Sequence, residues 1–362
     1  MALTAEQHAL ILLYLAEETG LKPFQVQNTV ELLREGATVP FIARYRKERT
    51  GELDEVQVRL LEERLGYFSE LEERRRTVLE SISEQGKLSD ELRARIEATR
   101  QKSELEDLYL PYKPKRRTKA TIARERGLEP LADLIAAQEF PGTPEAAALP
   151  FVDAEREVPD ASAALAGAGH ILAERLAEDA DARAVVRQLC WEQGVLVSRV
   201  APEKAGTVSK FELYYDAREP FRTIPSHRML AMRRGEKEEV LRLSLEAPDN
   251  EILLRLKGRL LRGDGPFRPL LEGVAEDAWR RLLAPSIEME LRLEAKQRAD
   301  ETAIAVFAGN LRNLLLAPPA GSRLVLGIDP GLRTGCKLAA LDATGKLLAH
   351  ATVYPHTGEG RA

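Results

Sequence analysis

The feature that most constrains the fold is an uninterrupted helical pattern near the end of the chain. It begins at Pro285 and stops before Pro318 and Pro319, so it predicts one helix roughly 50 Å long at a rise of about 1.5 Å per residue. Because four residues turn by about 400°, a row of every fourth residue drifts around the helix by roughly 40° per step. We therefore expect a central strut whose neighbours change along its length. The apolar residues of this row are Ile287, Leu291, Ala295, Ala299, Ala303, Phe307, Leu311 and Leu315.

The preceding residues carry the start and stop signals of shorter helices. Thr4 with Gln7 and Ser103 with Glu106 have the spacing of capping boxes, and Ser89 is placed as a helix cap. The longest of these helices are predicted over residues 54–85, 162–178 and 181–193, and further helices are predicted between residues 250 and 284. Three stretches are predicted as connections: 38–47, 111–127 and 139–161.

After Ser322 the apolar period changes from that of a helix to that of strands. Strands are predicted over residues 324–328, 336–341 and 347–354, and tight turns between them indicate an antiparallel meander. A three-stranded sheet with a bare edge and no covering helix is not a finished domain. We therefore expect the sequence to be a piece of a longer protein. Earlier in the chain, alternating leucines over 241–245 predict another strand, whereas 196–225 is predicted as loop with a short strand.

Composition limits the function classes that need to be considered. The formal net charge is −5 over 362 residues, so any contact with nucleic acid must rest on local basic patches. The only two cysteines, Cys190 and Cys336, have neither disulfide-framework nor zinc-site spacing. No signal peptide and no apolar run of membrane-spanning length is apparent. These features predict a cytoplasmic protein without a membrane partner.

The strongest candidate for a nucleic-acid contact is a dense basic stretch after the 54–110 helices. Pro111 and Pro114 are expected to keep this stretch extended, and Tyr109 and Tyr112 are candidate stacking groups. Such a density of cations suits phosphate neutralisation with counterion release. The alternative is that the cations pair with nearby Glu104, Glu106 and Asp107. The predicted contacts are Lys113, Lys115, Arg116, Arg117 and Lys119, with Arg124 and Arg126 beyond them.

Two further cationic stretches favour structural roles. In the first, interleaved Phe41, Ile42 and Tyr45 predict that one side packs inward, and Glu48 and Glu52 are close enough in sequence to pair with the cations. The cations of the two stretches are Arg44, Arg46, Lys47 and Arg49, then Arg228, Arg233, Arg234 and Lys237.

Several segments together resemble a known family. They resemble signature motifs of the Tex transcription accessory proteins, and the resemblance covers essentially the whole chain. It implies stacked helical layers, a long central helix and a YqgF/RuvC-like domain of RNase H fold. In that family, helix-hairpin-helix and S1-type RNA-binding modules follow, and this sequence does not contain them. The matching segments are Val39–Glu48, Leu105–Arg117, His227–Glu236, Val306–Leu316 and Gly327–Cys336.

Asp329 is the sharpest candidate for catalysis and for metal binding. It ends the first strand of the meander and resembles the first metal ligand of RuvC-like nucleases. Two-metal hydrolysis needs several converging carboxylates, and Asp342 should lie roughly 20 Å away at the far end of the next strand. The alternatives are a hairpin turn in which Asp329 bonds backbone amides, and a phosphate-binding loop that uses Gly331 and Gly335.

The sequence therefore predicts a mainly α-helical chain that ends in the first strands of a truncated RNase H-like α/β domain. The predicted function is a non-enzymatic scaffold without a cofactor that binds RNA or DNA and works in transcription, with RNA polymerase as a candidate partner. Two alternatives stay open: a Mg²⁺-dependent nuclease that uses Asp329, and a helical protein–protein interaction module. The predicted domains are a helical region over 1–200, a central helical region over 201–321 and the RNase H-like start over 322–362.

Overall fold

The computed structural model describes residues 5–114, 116–319, 321–331 and 335–355. The chain divides into two compact units, Met1–Gln297 and Arg298–Ala362. The first unit is mainly α-helical and contains one small sheet, and the second contains the distal part of the longest helix and another small sheet. This agrees with the predicted fold class.

The first seven helices pack around one apolar cluster. Asp54 caps the longest of them by accepting from the Gln57 N–H at 2.8 Å, and Ser89 caps the next by accepting from the Leu92 N–H at 3.2 Å. Buried apolar side chains such as Leu61 form the core of the cluster. The helices are α1 (Ala5–Thr19), α2 (Pro23–Arg34), α3 (Val39–Tyr45), α4 (Lys47–Thr50), α5 (Glu55–Glu84), α6 (Asp90–Ala98) and α7 (Lys102–Tyr109).

Two local predictions in this region are wrong. The connection predicted over 38–47 is largely helical, because burial of Val39 and Ile42 gives α3 a core-facing side. The capping box at Ser103 does not form: the N-cap of α7 is Gln101, two residues earlier, and Glu106 is engaged by Arg74 of α5. In both cases a tertiary contact overrides the local signal.

Five helices form the next part of the first unit. The stretch predicted as a connection over 111–127 becomes helical from Lys119, where the Thr118 hydroxyl caps the helix by accepting from the Thr121 N–H at 3.0 Å. The connection predicted over 139–161 also contains a short helix. The helices are α8 (Lys119–Glu125), α9 (Glu129–Ala137), α10 (Pro144–Ala148), α11 (Ala161–Glu178) and α12 (Ala180–Gln193).

A small antiparallel sheet with one helix follows. Its strand order is β2-β1-β3, so the first strand is central. The strand predicted from the alternating leucines is confirmed, and the stretch predicted as loop with a short strand supplies the other two. The elements are β1 (Val195–Val200), β2 (Asp216–Pro220), α13 (Ser226–Lys237) and β3 (Leu241–Glu246).

The sequence predicts that the longest helix begins at Pro285, but in the structure the helical path begins before this residue. A continuous helical path includes a π-helical turn over Ala278–Leu283, in which the Ala284 N–H donates to the Trp279 carbonyl. Pro285 has no N–H to donate to the residue four positions earlier, and its ring would clash there. A wider turn just before the proline relieves that conflict. The path joins α15 (Arg268–Asp277) to α16 (Ala284–Leu315), and a separate helix, α14 (Asp249–Leu260), precedes it.

The two halves of α16 differ in burial. Ile287, Leu291 and Ala295 are almost completely buried, whereas Phe307 is 68% and Leu315 75% exposed. The prediction of a long helix is confirmed. In the distal half the large apolar side chains are exposed in this chain, so the expectation that the apolar row meets protein neighbours throughout stays a prediction there.

The second unit contains the predicted three-stranded meander. The strand order is β4-β5-β6, with antiparallel pairs and Asp329 opposite Lys337. Nowhere in the described ranges does a helix combine the length and apolarity needed to cross a membrane. The strands are β4 (Val325–Asp329), β5 (Cys336–Leu341) and β6 (Leu347–Val353).

Candidate nucleic-acid interface

The basic segment, residues 113–119, is held at both ends by the helical scaffold. At its start, the Gln85 side-chain amide of α5 donates to the Tyr112 carbonyl at 2.9 Å. At its end, the Thr118 hydroxyl donates to the buried Glu174 carboxylate of α11 at 2.9 Å. The segment therefore runs between fixed points on α5 and α11.

Most of the predicted contact residues in this segment are exposed. Arg117 pairs with Glu125 at 2.8 Å, but both side chains are more than half exposed, so this pair holds Arg117 only weakly. The other three described cations make no ion pair with any described residue. Lys115 lies outside the described residues. The four described cations are Lys113, Arg116, Arg117 and Lys119.

The acidic residues expected to neutralise the segment are largely engaged elsewhere. Arg74 donates to both Glu106 oxygens at 2.5 and 2.9 Å, and these bonds hold the pKa of Glu106 below its usual range. Asp107 is buried and accepts from Arg183 at 2.6 Å and from Arg187 at 2.7 Å. The charge of Lys113 also contributes to the lowered pKa of Glu106. The alternative interpretation, in which the cations of the basic segment pair with Glu104, Glu106 and Asp107, therefore stays open for the two glutamates, whereas Asp107 is engaged by the two arginines of α12.

The two predicted stacking residues beside the segment differ in their surroundings, and only Tyr109 is buried. Tyr109 is 8% exposed and its hydroxyl shares a hydrogen bond of 3.1 Å with Ser81. Tyr112 is half-buried against the N-terminal apolar cluster. The final turn of α7 faces α5, so stacking on Tyr109 is ruled out.

The two arginines predicted to extend the basic segment have intramolecular partners. Arg124 donates to Glu174 at 2.7 Å, and Arg126 donates to Glu157 at 2.5 Å. Because Glu174 also accepts from Thr118, this pairing belongs to the anchor of the segment. The candidate interface therefore ends at Lys119.

The cationic stretch at α3 differs from its prediction in two ways. Ile42 is buried as expected, but Phe41 and Tyr45 are exposed, so only part of the interleaved apolar set packs inward. Arg49 pairs with Glu31 at 3.2 Å and with Glu35 of the same region at 3.5 Å. The predicted pairing with the sequence neighbours Glu48 and Glu52 is wrong because α2 packs against α4.

The third cationic stretch lies on α13 and is partly neutralised. Arg228 pairs with Glu219 of β2 at 2.5 Å, and Arg233 pairs with Glu236 at 3.3 Å. Lys237 lies in the last helical turn, where a cation stabilises the carbonyl end of the helix. This arrangement supports the structural interpretation.

Asp329 and Asp342 lie at opposite ends of the second-unit sheet, as predicted. The Lys337 ammonium is 3.9 Å from Asp329 Oδ2, and both side chains are exposed. Asp342 accepts from the Thr344 hydroxyl and N–H at 2.7 and 2.8 Å, and these bonds lower its pKa. The described residues contain no group of three carboxylate, histidine or cysteine side chains placed to hold a metal ion. Residues 332–334 of the candidate phosphate loop lie outside the described residues.

A buried charge network is the main feature that the sequence did not indicate. Arg183 and Arg187 of α12 both reach Asp107 of α7 and Glu290 of α16. The spacing of the two arginines places them on one helix face. Their partners are more than 70 residues away in sequence, so no local signal could have identified the network.

Comparison with known families accounts for most of the chain. Residues 9–83 match the Tex-like protein N-terminal domain, 141–307 the Tex central region, and 323–362 the Tex protein YqgF-like domain. The chain belongs to the Tex family.

Curated Tex relatives align with nearly the whole chain. Protein YhgF of Escherichia coli is 52% identical over 95% of this chain. Transcriptional accessory protein Tex of Neisseria gonorrhoeae is 48% identical over 94%. Human S1 RNA-binding domain-containing protein 1 is 31% identical over 96%. The chain spans 46%, 46% and 36% of these relatives, respectively, which is about half their length or less.

The candidate residues fall in different parts of the Tex layout. The α3 stretch lies inside the match to the N-terminal domain, and Asp329 lies inside the match to the YqgF-like domain. The basic segment, residues 113–119, falls between the matches to the N-terminal domain and the central region.

Proposed function

We propose that this Tex-family chain binds the phosphate backbone of RNA or DNA through its basic segment and acts as a scaffold in transcription. We further propose that it works in the cytoplasm beside RNA polymerase. The names of the relatives, a transcriptional accessory protein and an S1 RNA-binding domain protein, support this ligand class. The carrying observation is the set of exposed, unpaired cations at Lys113, Arg116 and Lys119 among the described residues.

The physical basis of the proposed binding is counterion release. Phosphates hold condensed cations that are released when protein cations replace them, and the entropy gain depends on salt concentration. Hydrogen bonds at Tyr112 and Thr118 fix the two ends of the segment, and this reduces the ordering cost of binding at those ends. This contact carries no base specificity, and it needs no metal or cofactor. Mg²⁺ would enter only if Asp329 belonged to a nuclease site.

The test is the salt dependence of binding to a short single-stranded oligonucleotide. Lys113→Ala/Arg116→Ala/Lys119→Ala should weaken binding and flatten the plot of log K against log salt. The expected change in slope is about 0.7 for each phosphate that the variant no longer neutralises. Fluorescence anisotropy over a salt series measures both quantities.

The matched control removes the same charge from other places. Arg59, Arg95 and Arg218 are exposed and each is ion-paired, with Glu55, Asp181 and Glu246, respectively. Replacing these three arginines with Ala should leave the salt slope close to that of the wild type. Equal slopes for the wild type and the basic-segment variant would refute the proposed contact.

A further inference from the structure

Helix α3 presents two aromatic rings on its outer side. Phe41 is 39% and Tyr45 66% exposed, and the ring centroids are 5.5 Å apart. They are four residues apart and therefore lie on the same helix face. Val39 and Ile42 are buried on the other side, so the core holds the helix that carries the rings.

Cations surround these rings and are available for an external anion. The Arg46 guanidinium carbon lies 4.8 Å from the Phe41 ring centroid, which adds a third planar group to the pair. Arg44 and Lys47 are exposed. Within the described ranges none of these three cations forms an ion pair, unlike Arg49.

We infer that this surface, the α3 platform, binds single-stranded nucleic acid by base stacking. The α3 platform consists of Phe41, Arg44, Tyr45, Arg46 and Lys47. Exposed aromatic faces receive bases of any sequence, and flanking cations neutralise the adjoining phosphates. The inference rests on the ligand class of the proposed function. It adds a second site of different chemistry, which binds bases that are not paired in a duplex.

The charge of the platform selects this occupant over others. A protein partner that covers two rings would bury the three cations as well, which requires matching acidic groups or leaves charge unpaired at a cost. A strand of nucleic acid supplies a phosphate beside every base. A duplex supplies the phosphates but keeps its base faces stacked inside. Its phosphates should therefore contact the cations of the platform, while no base stacks on the two aromatic rings.

The test compares three oligonucleotides of equal length: a single strand, a duplex and a single strand of abasic residues. Phe41→Ala/Tyr45→Ala should lower affinity for the base-containing single strand at least about fivefold. Affinity for the duplex and for the abasic strand should not change, because phosphate contacts remain. The salt slope should also be that of the wild type, since no charge is removed. Anisotropy titrations of the intact chain measure all four quantities.

Two further variants keep this test decisive. Phe41→Leu/Tyr45→Leu retains apolar bulk without π-faces and should show the same loss, so a folding defect of the alanine variant cannot explain it. Leu149→Ala/Leu254→Ala removes two other side chains that are 64% and 69% exposed and should leave binding unchanged. Circular dichroism confirms folding of each variant.

The outcomes separate the inference from the proposed function. If both ring variants bind the single strand as the wild type does, while the basic-segment variant shows a flatter salt slope, the α3 platform is refuted and the proposed function stands. If the ring variants bind all three oligonucleotides more weakly by the same factor, base stacking is also refuted. If the wild-type chain binds none of the three, both proposals fail.

Discussion

Asp107 shows how a single carboxylate can join three helices. It lies on α7 with its side chain 6% exposed and accepts from Arg183 and Arg187 of α12. Both arginines also reach Glu290 of α16, so the charges are compensated within the buried network. Such a network adds little net stability over an apolar core. Removing one of its members, however, leaves a buried charge without a partner and lowers the free energy of unfolding.

We therefore expect Asp107→Ala to lower the free energy of unfolding by about 3–5 kcal/mol, because buried guanidinium groups lose a partner. Urea denaturation followed by circular dichroism measures the change. The control is Asp181→Ala, which removes an exposed partner of Arg95 and should cost less than about 1 kcal/mol. Similar costs for the two variants would show that the Asp107 network is not coupled in the way its geometry indicates.

At the scale of secondary-structure elements, α11 and α14 each contain a glycine, one closely packed and the other with open space beside it. A Cβ added to Gly167 of α11 would overlap Leu128 Cδ1, and Leu128 is only 1% exposed. The same atom added to Gly258 of α14 would meet nothing within 4 Å. One glycine permits a close helix contact, and the other only lowers helix propensity.

These surroundings predict opposite effects of the same substitution. Gly167→Ala should destabilise the chain by about 1–3 kcal/mol through overpacking, whereas Gly258→Ala should stabilise it by up to about 1 kcal/mol. Thermal or urea unfolding of the two variants gives the signs directly. The interpretation of close packing at α11 fails if Gly167→Ala is neutral or stabilising.

The path into α16 shows how a proline can lie inside a helical segment. Pro285 follows a π-helical turn that ends at Leu283, and the wider turn accommodates the missing donor. Sequence signals alone place a helix start at proline. The structure instead continues the helix backwards because Leu283 and Ile287 are both fully buried, and this burial favours one uninterrupted path.

At the scale of the whole molecule, two candidate contact surfaces lie on a chain whose net charge is −5. The basic segment offers charge alone, and the α3 platform combines charge with exposed rings. Binding should therefore be strongly salt-dependent and selective for single strands rather than general to polyanions. The net negative charge of the chain disfavours nonspecific binding to polyanions.

We expect the chain to shift single-stranded oligonucleotides in gels without cleaving them when Mg²⁺ is supplied. Asp329 has only Lys337 as an ion-pair partner among the described residues, and Asp342 lies at the other end of the sheet. A two-metal site needs several converging carboxylates. Incubation with labelled single and duplex strands tests this, with Asp329→Asn as the control.

Cleavage that depends on Mg²⁺ and disappears in Asp329→Asn would establish the nuclease alternative. Cleavage that persists in that variant would indicate a contaminant and leave the prediction in place. Neither gel shift nor cleavage would favour the helical protein–protein interaction module.

The sequence by itself determined the elements that depend on local chemistry. The cap at Ser89, the alternating leucines of β3 and the meander of the second unit follow from hydrogen-bonding side chains and apolar periods. The family motifs and the cations of the basic segment are equally readable, because they depend on residue identity within a short span.

Only the tertiary structure decided which side chains remain available for a ligand. Glu106 and Asp107 are neighbours of the basic segment in sequence, yet they pair with Arg74 and the α12 arginines instead. Tyr109 is buried while Tyr45 is exposed, although both are tyrosines beside basic runs. The physical reason is that burial and ion pairing depend on packing between helices far apart in the chain, and no local pattern encodes those partners.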